Sequence, residues 1–188
     1  MKYISKGMVI KASTEGLLFV TRHGTDFQLT GLQAELWLNG RYGFAESGGN
    51  ILEGKALQQL NRKGLVELVE SDEPAAEYRA LTQCVLVPAQ PQGHRVLLST
   101  REKELLRWLT DAGLHLTTAE LVFLAEHCVK PTADLLGERN RQCLTERIYT
   151  QETIFDNILE AQMEYAAARD EVVDALLRLL EKRRILLL

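Results

Sequence analysis

The chain has 188 residues, 46% of them hydrophobic and 26% charged, ordinary values for a folded protein that exclude global disorder. No apolar run approaches the roughly 18 residues of a membrane span, and residues 1–16 lack the unbroken apolar stretch of a secretory signal. Three cysteines with no CxxC pair argue against a disulfide framework, so a cytoplasmic protein without a membrane partner is expected. Net charge is −4. Residues 1–90 carry nine cations against ten anions and residues 91–188 thirteen against sixteen. Neither half is a basic domain, which weighs against a nucleic-acid partner and leaves local charge to decide.

The first elements read as strands. Met8–Ile10 and Gly16–Thr21 are apolar and β-branched, His23–Asp26 is a turn, and Phe27–Leu29 alternates. Thr30 caps a helix to Asn39 and Gly40, with Leu32, Leu36 and Trp37 inward. Ser47–Asn50 forms a turn and cap before a helix over Ile51–Lys63. Leu52, Ala56, Leu57 and Leu60 form its apolar stripe. Gly64 stops that helix. Leu65–Val69 alternates as a strand, Ser71–Ala76 is a polar turn, and Glu77–Thr82 returns as a second strand. The paired prolines of Pro88–Gly93 mark a joint, giving units over 1–88 and 95–188.

The run Ala56-Leu57-Gln58-Gln59-Leu60-Asn61-Arg62-Lys63-Gly64-Leu65-Val66-Glu67-Leu68-Val69, followed by Tyr78-Arg79-Ala80-Leu81-Thr82, resembles the recognition helix and wing of winged helix-turn-helix regulators of the MarR type. About thirty residues carry the resemblance. It implies a winged-helix domain that reads DNA with the Ile51–Lys63 helix. One departure stands out: Arg41–Glu46 leaves barely one turn for the helix that normally precedes the recognition helix.

The second unit is mostly helical. Ser99 with Glu102 and Thr117 with Glu120 have capping-box spacing. They predict helices over 100–112 and 118–129, the latter ended by Lys130-Pro131. Further helical segments are expected over 132–137, 138–149 and 154–166. A last helix over 169–183 is followed by a strand at Ile185–Leu188, for which Arg95–Leu98 is the expected partner. This ending resembles a second winged-helix core without its return strand. No repeat of fixed period is present. The expected class is α+β and helix-rich, with tandem winged-helix-like units.

The polar face of the Ile51–Lys63 helix holds Lys55, Gln58 and Arg62, flanked by Gln59 and Asn61. These side-chain types read phosphates and base edges, although a solvated face has the same composition. Arg41 and Arg79 would add phosphate contacts. Asp72, Glu73 and Glu77 in the wing oppose them. The last helix exposes Glu171, Asp174, Arg178, Glu181 and Lys182, too acidic a set for DNA, and suits packing or a partner. Phe123, off the stripe of its own helix, together with Ile154 and Ile158, is the candidate interface, and a homodimer is the expected assembly.

His115, His127, Cys128 and Cys143 lack zinc-site spacing, so no metal is expected. No nucleophile, phosphate or dinucleotide motif is present. The expectation is a non-enzyme without cofactors.

Two function classes follow. The first is a winged-helix DNA-binding transcription regulator whose second unit serves assembly. The second is a peptide- or protein-binding module on a winged-helix core. Strands Leu17–Thr21 and Phe27–Thr30 loosely resemble PqqD-like peptide-recognition elements, which bind an extended peptide by strand addition. A basic helix face favours the first class, and an uncovered sheet edge the second.

Overall fold

The computed structural model describes residues 1–12, 16–69, 74–89, 96–111, 116–126, 142 and 166–188. The chain is α+β. Its elements are β1 (Lys2–Ser5), β2 (Met8–Ala12), β3 (Leu17–Arg22), β4 (Thr25–Thr30), α1 (Gly31–Asn39), β5 (Ala45–Glu46), α2 (Ile51–Arg62) and β6 (Val66–Val69). These are followed by α3 (Pro74–Thr82), β7 (Val85–Pro88), α4 (Thr100–Asp111), β8 (Leu116–Thr117), α5 (Thr118–Glu126), α6 (Ala166–Glu181) and β9 (Ile185–Leu187). Apart from Gln142 and Ala166, the expected segments over 132–149 and 154–166, with Ile154, Ile158 and the His115, His127, Cys128 and Cys143 group, lie outside the described residues.

Among the described residues the strands form three antiparallel sheets, in the orders β5-β1-β6, β2-β3-β4 and β8-β7-β9. The first and third have the same plan. Each centres on the strand that opens its unit and flanks it with a two-residue strand and the strand after a long helix. The likeness extends to the final turns. In the first, Lys63 N–H donates to the Gln59 carbonyl at 3.1 Å, Gly64 to Asn61 at 2.8 Å and Leu65 to Leu60 at 2.9 Å. In the second, Lys182 donates to Arg178 at 3.0 Å, Arg183 to Leu180 at 2.8 Å and Arg184 to Leu179 at 2.8 Å. Ala56, Leu57 and Leu60 are buried in one helix, and Ala175, Leu176 and Leu179 in the other.

The expected wing does not form. Glu77–Thr82, read as its return strand, lies in helix α3. Ala76, Ala80 and Leu81 are buried, a spacing that shares one helical face. Pro74 is the first helical residue, where its missing N–H leaves no bond unmade. Strand β1, not foreseen from sequence, pairs with β6 from Lys2↔Val69 to Ser5↔Val66. The strand beside β6 is thus the amino terminus and not a return strand from 77–82. Residues 70–73 of the expected turn lie outside the described residues. No helix forms between α1 and α2 either. Arg41–Gly43 is a turn that leads into β5.

The closing strand also pairs differently. β9 lies against β7, with Leu86↔Leu187, Val87↔Leu186 and Pro88↔Ile185, and not against Val96–Leu98, the described part of the expected partner. Val96 and Leu97 are irregular and exposed, Leu97 at 93%. Pairing thereby joins Val85–Pro88 to the sheet of the second unit.

Both expected capping boxes form. Ser99 N–H donates to Glu102 at 2.7 Å and Glu102 N–H to Ser99 Oγ at 3.2 Å. Thr117 N–H donates to Glu120 at 2.8 Å and Glu120 N–H to Thr117 Oγ1 at 3.2 Å. Asn50 caps α2 by accepting from Leu52 N–H at 2.7 Å.

Tyr3, Leu18, Val20, Leu29, Trp37, Leu57, Leu60 and Leu65 belong to the first core. Its buried polar tips are satisfied: Tyr3 O–H donates to the Leu36 carbonyl and Trp37 Nε1–H to the Lys6 carbonyl, each at 3.0 Å. The second core joins α3, α4, α5 and α6 to the β7 sheet, and Ile4 of β1 reaches into it. Gly7 N–H donates to the Leu187 carbonyl at 2.7 Å, and Lys2 pairs with Glu77 of α3. The two units therefore share both backbone and side-chain contacts.

Candidate binding surfaces

Helix α2 presents the expected polar face. Lys55, Gln58, Gln59, Asn61 and Arg62 are all exposed. Lys55 and Arg62 stand two turns apart with no ion pair among the described residues. Gln59 is committed within the fold. Gln33 of α1 donates to its Oε1 at 2.6 Å, and Lys63 donates to Gln33 Oε1 at 3.4 Å. Leu52, assigned to the apolar stripe, is 65% exposed and its neighbour Ile51 is 76% exposed. The stripe holds from Ala56 onward, but the first turn of α2 lies beyond what buries the rest.

The two arginines expected to support this face lie elsewhere. Arg79 is exposed on α3 and not on a wing strand. Arg41 is half-buried and stacks on the rings of Trp37 at 5.1 Å and Tyr42 at 5.3 Å. Burial lowers its affinity for a proton, and nearby Arg183 lowers it further, while Tyr42 opposes both. Phe123 is 8% exposed within the second core. Neighbouring helices therefore cover it, and it offers no interface.

The second candidate surface is the β2-β3-β4 sheet. Val20 and Leu29 are fully buried on its inner face. Asp26, Gln28 and Thr30 alternate outward along β4 and are exposed. β4 pairs with β3 over six positions without a break, from Leu17↔Thr30 to Arg22↔Thr25. No other strand pairs with its outer edge among the described residues. The opposite edge, β2, carries an irregularity between Val9 and Lys11, the kind of bulge that blunts an edge. The sheet thus has one regular free edge and one interrupted one.

Contacts from the elements flanking β4, the end of β3 and the first turn of α1, reach the last turn of α2 and the turn after it. At one end, Arg22, paired with Thr25, lays its guanidinium against Gly64, where any Cβ would collide with it. At the other, Gln33, three residues beyond Thr30, holds Gln59 and Lys63. A hairpin reading of sequence locates β4. It does not give Gln33–Gln59, since neither glutamine carries a motif.

Among the described residues no group of three side chains could hold a metal ion, and no helix is long and apolar enough to cross a membrane. Cys84 is a buried free thiol, its pKa pushed up to about 12 by burial, which keeps it protonated and unreactive. No family model matches the chain, and no curated protein or solved structure matches it.

Proposed function

We propose that the chain is a peptide- or protein-binding module built on winged-helix-like units, and that it captures an extended segment by adding it as a strand to the outer edge of β4. The unbroken β4 edge, without a strand partner among the described residues, supports this reading most directly. A strand added there gains main-chain hydrogen bonds whatever its sequence. The alternation of Asp26, Gln28 and Thr30 supplies the selectivity. Helix α2, held to α1 through Gln33 and Gln59, presents a polar face with Lys55 and Arg62 on one side. Loss of the wing to helix α3 weighs against DNA in the same comparison.

The test is selection from a displayed decapeptide library. A selected peptide should lose at least about tenfold in affinity when alternate backbone amides are N-methylated, because each blocked main-chain hydrogen bond is worth about 0.5–1.5 kcal/mol. The β4 amides should gain hydrogen-exchange protection on binding. A library yielding no binder, or a binder indifferent to N-methylation, overturns the proposal.

Lys55 and Arg62, without an ion pair among the described residues, favour a second reading, in which α2 contacts a DNA backbone. Two phosphate contacts give a salt slope of about −1.8, a loss of roughly 12-fold between 50 and 200 mM salt. Duplex binding with that slope, abolished by Lys55→Ala with Arg62→Ala, would put the DNA reading first.

A further inference from the structure

Two arginines from different units converge on one ring. Arg183 lies 4.6 Å from the centre of Tyr42, and Arg41 lies 5.3 Å from it. Arg41 comes from the turn after α1, and Arg183 from the turn between α6 and β9. Neither makes an ion pair or a hydrogen bond with any side chain among the described residues. Arg41 Nε is buried without a hydrogen-bond partner. Arg183 holds a left-handed backbone at φ +55°, unusual for a residue other than glycine. The nearest structural counterpart, Gly64, sits in the same turn of the first unit without this charge.

We propose that Arg41 and Arg183, spaced by Tyr42, form a binding site for a phosphate-type dianion. Ring stacking alone leaves the site incomplete. It satisfies the faces of the guanidiniums and not their edges, which carry the N–H donors. Two like charges brought together around one half-buried ring repel, and among the described residues no carboxylate pairs with either. A dianion matches their total charge, accepts from the free edges and gives the buried Nε an acceptor. Arg41 is pre-set for this by its stacks on Trp37 and Tyr42. The repulsion from Arg183 that disfavours the charged form of Arg41 is relieved once the anion is bound. Because the site bridges the two units, occupancy also links them. The proposal stands independently of strand capture at β4.

Trp37 supplies the readout. The chain has two tryptophans, so Trp108→Phe leaves Trp37 alone to report on Arg41 above it. Inorganic phosphate is titrated into this protein at about pH 8, where it is dianionic, with sodium chloride holding ionic strength constant. Saturable change in Trp37 emission is expected, with Tm rising as the logarithm of phosphate concentration in the unsubstituted chain. Arg183→Asn removes the charge while keeping a residue suited to left-handed backbone. It should weaken phosphate by roughly tenfold or more, as should Arg41→Gln. Glycerol phosphate, titrated alongside, distinguishes free phosphate from the phosphate of a larger molecule: tighter binding assigns the latter, weaker binding the former. Phosphate acting no differently from chloride overturns the site. So does acetate binding as tightly as phosphate, or unchanged affinity in Arg183→Asn.

Discussion

Gly64 and Arg183 occupy the same position in two copies of one helix–turn–strand motif, and both hold left-handed backbone, at φ +70° and +55°. In each copy the next N–H closes onto a carbonyl five residues back, Leu65 to Leu60 and Arg184 to Leu179. The turn geometry is therefore set by the motif, and the residue at its apex is free to differ. A glycine meets the backbone demand without strain. Arg183 meets it at a cost, and its stack on Tyr42 offsets part of that cost.

Gly64→Ala should accordingly destabilise the first unit. A side chain in the left-handed region costs about 1–2 kcal/mol, and the new methyl must displace the Arg22 guanidinium. Urea denaturation should show a lower midpoint with an unchanged slope. An unchanged midpoint would mean that the turn relaxes without penalty.

Ile4 makes the two units one folding problem. It belongs to β1 of the first sheet, yet it is fully buried in the core of the second unit. Ile4→Ala should cost about 2–5 kcal/mol through lost burial and an unfilled cavity. Tryptophan emission reports on both units, because Trp37 lies in the first core and Trp108 in the second. With Trp37→Phe and Trp108→Phe backgrounds, the two probes should shift together. A shift confined to one probe would show that the units unfold separately.

Local signals in the sequence were the reliable ones. Ser99 with Glu102 and Thr117 with Glu120 located two helix starts, because a capping box is satisfied within four residues. Gly64 located a turn for the same reason. The failures were long-range. Tyr78–Thr82 carries no periodicity strong enough to choose between strand and helix. Tertiary packing settles it for helix, because Ala76, Ala80 and Leu81 share one buried helical face. The partner of β9 was likewise set by tertiary fit: Val85–Pro88 and Arg95–Leu98 both read as strands, and among the described residues it is Val85–Pro88 that pairs with it. Of the candidate site, the exposed α2 residues were legible from the wheel. Arg41 with Arg183 was not, because 142 positions separate them and neither belongs to a motif.

Lys55 and Arg62 should be expendable for folding. Both are exposed on the polar face of α2, and surface substitutions of this kind usually stay within about 0.5 kcal/mol. The Lys55→Ala, Arg62→Ala double variant should therefore keep its far-UV circular dichroism and denaturation midpoint. Any loss of ligand binding in it is then a loss of contact, not of structure. A midpoint lowered by several kcal/mol equivalents would assign these residues a structural role instead.

Glu102 makes stability depend on acid. It is 1% exposed, and burial by itself would raise its pKa. Lys182 Nζ donates to both its oxygens at 2.7 Å, and the Ser99 amide donates to one of them. Together with the positive charge of Arg178, these outweigh burial and hold the carboxyl below its usual range. A group whose folded pKa lies below its unfolded value stabilises the fold above the unfolded pKa, about 4.3 for glutamate. That contribution is lost as pH falls through the folded value. Glu102→Gln removes the titration while keeping an oxygen for the Ser99 amide. The stability gap between the parent and Glu102→Gln should be constant from neutral pH down to about 5 and then close as acid protonates the parent. Urea midpoints across that range measure it. The first unit provides the contrast, because Gln33 takes the place of Glu102 there and Lys63 that of Lys182. Gln33→Glu should give the first unit an ion pair in place of a 3.4 Å amide contact. Because that pair would be exposed, its gain should stay below about 1 kcal/mol and fade with salt. A gap that widened toward low pH would reverse the sign assigned to Glu102 and remove Lys182 as its cause.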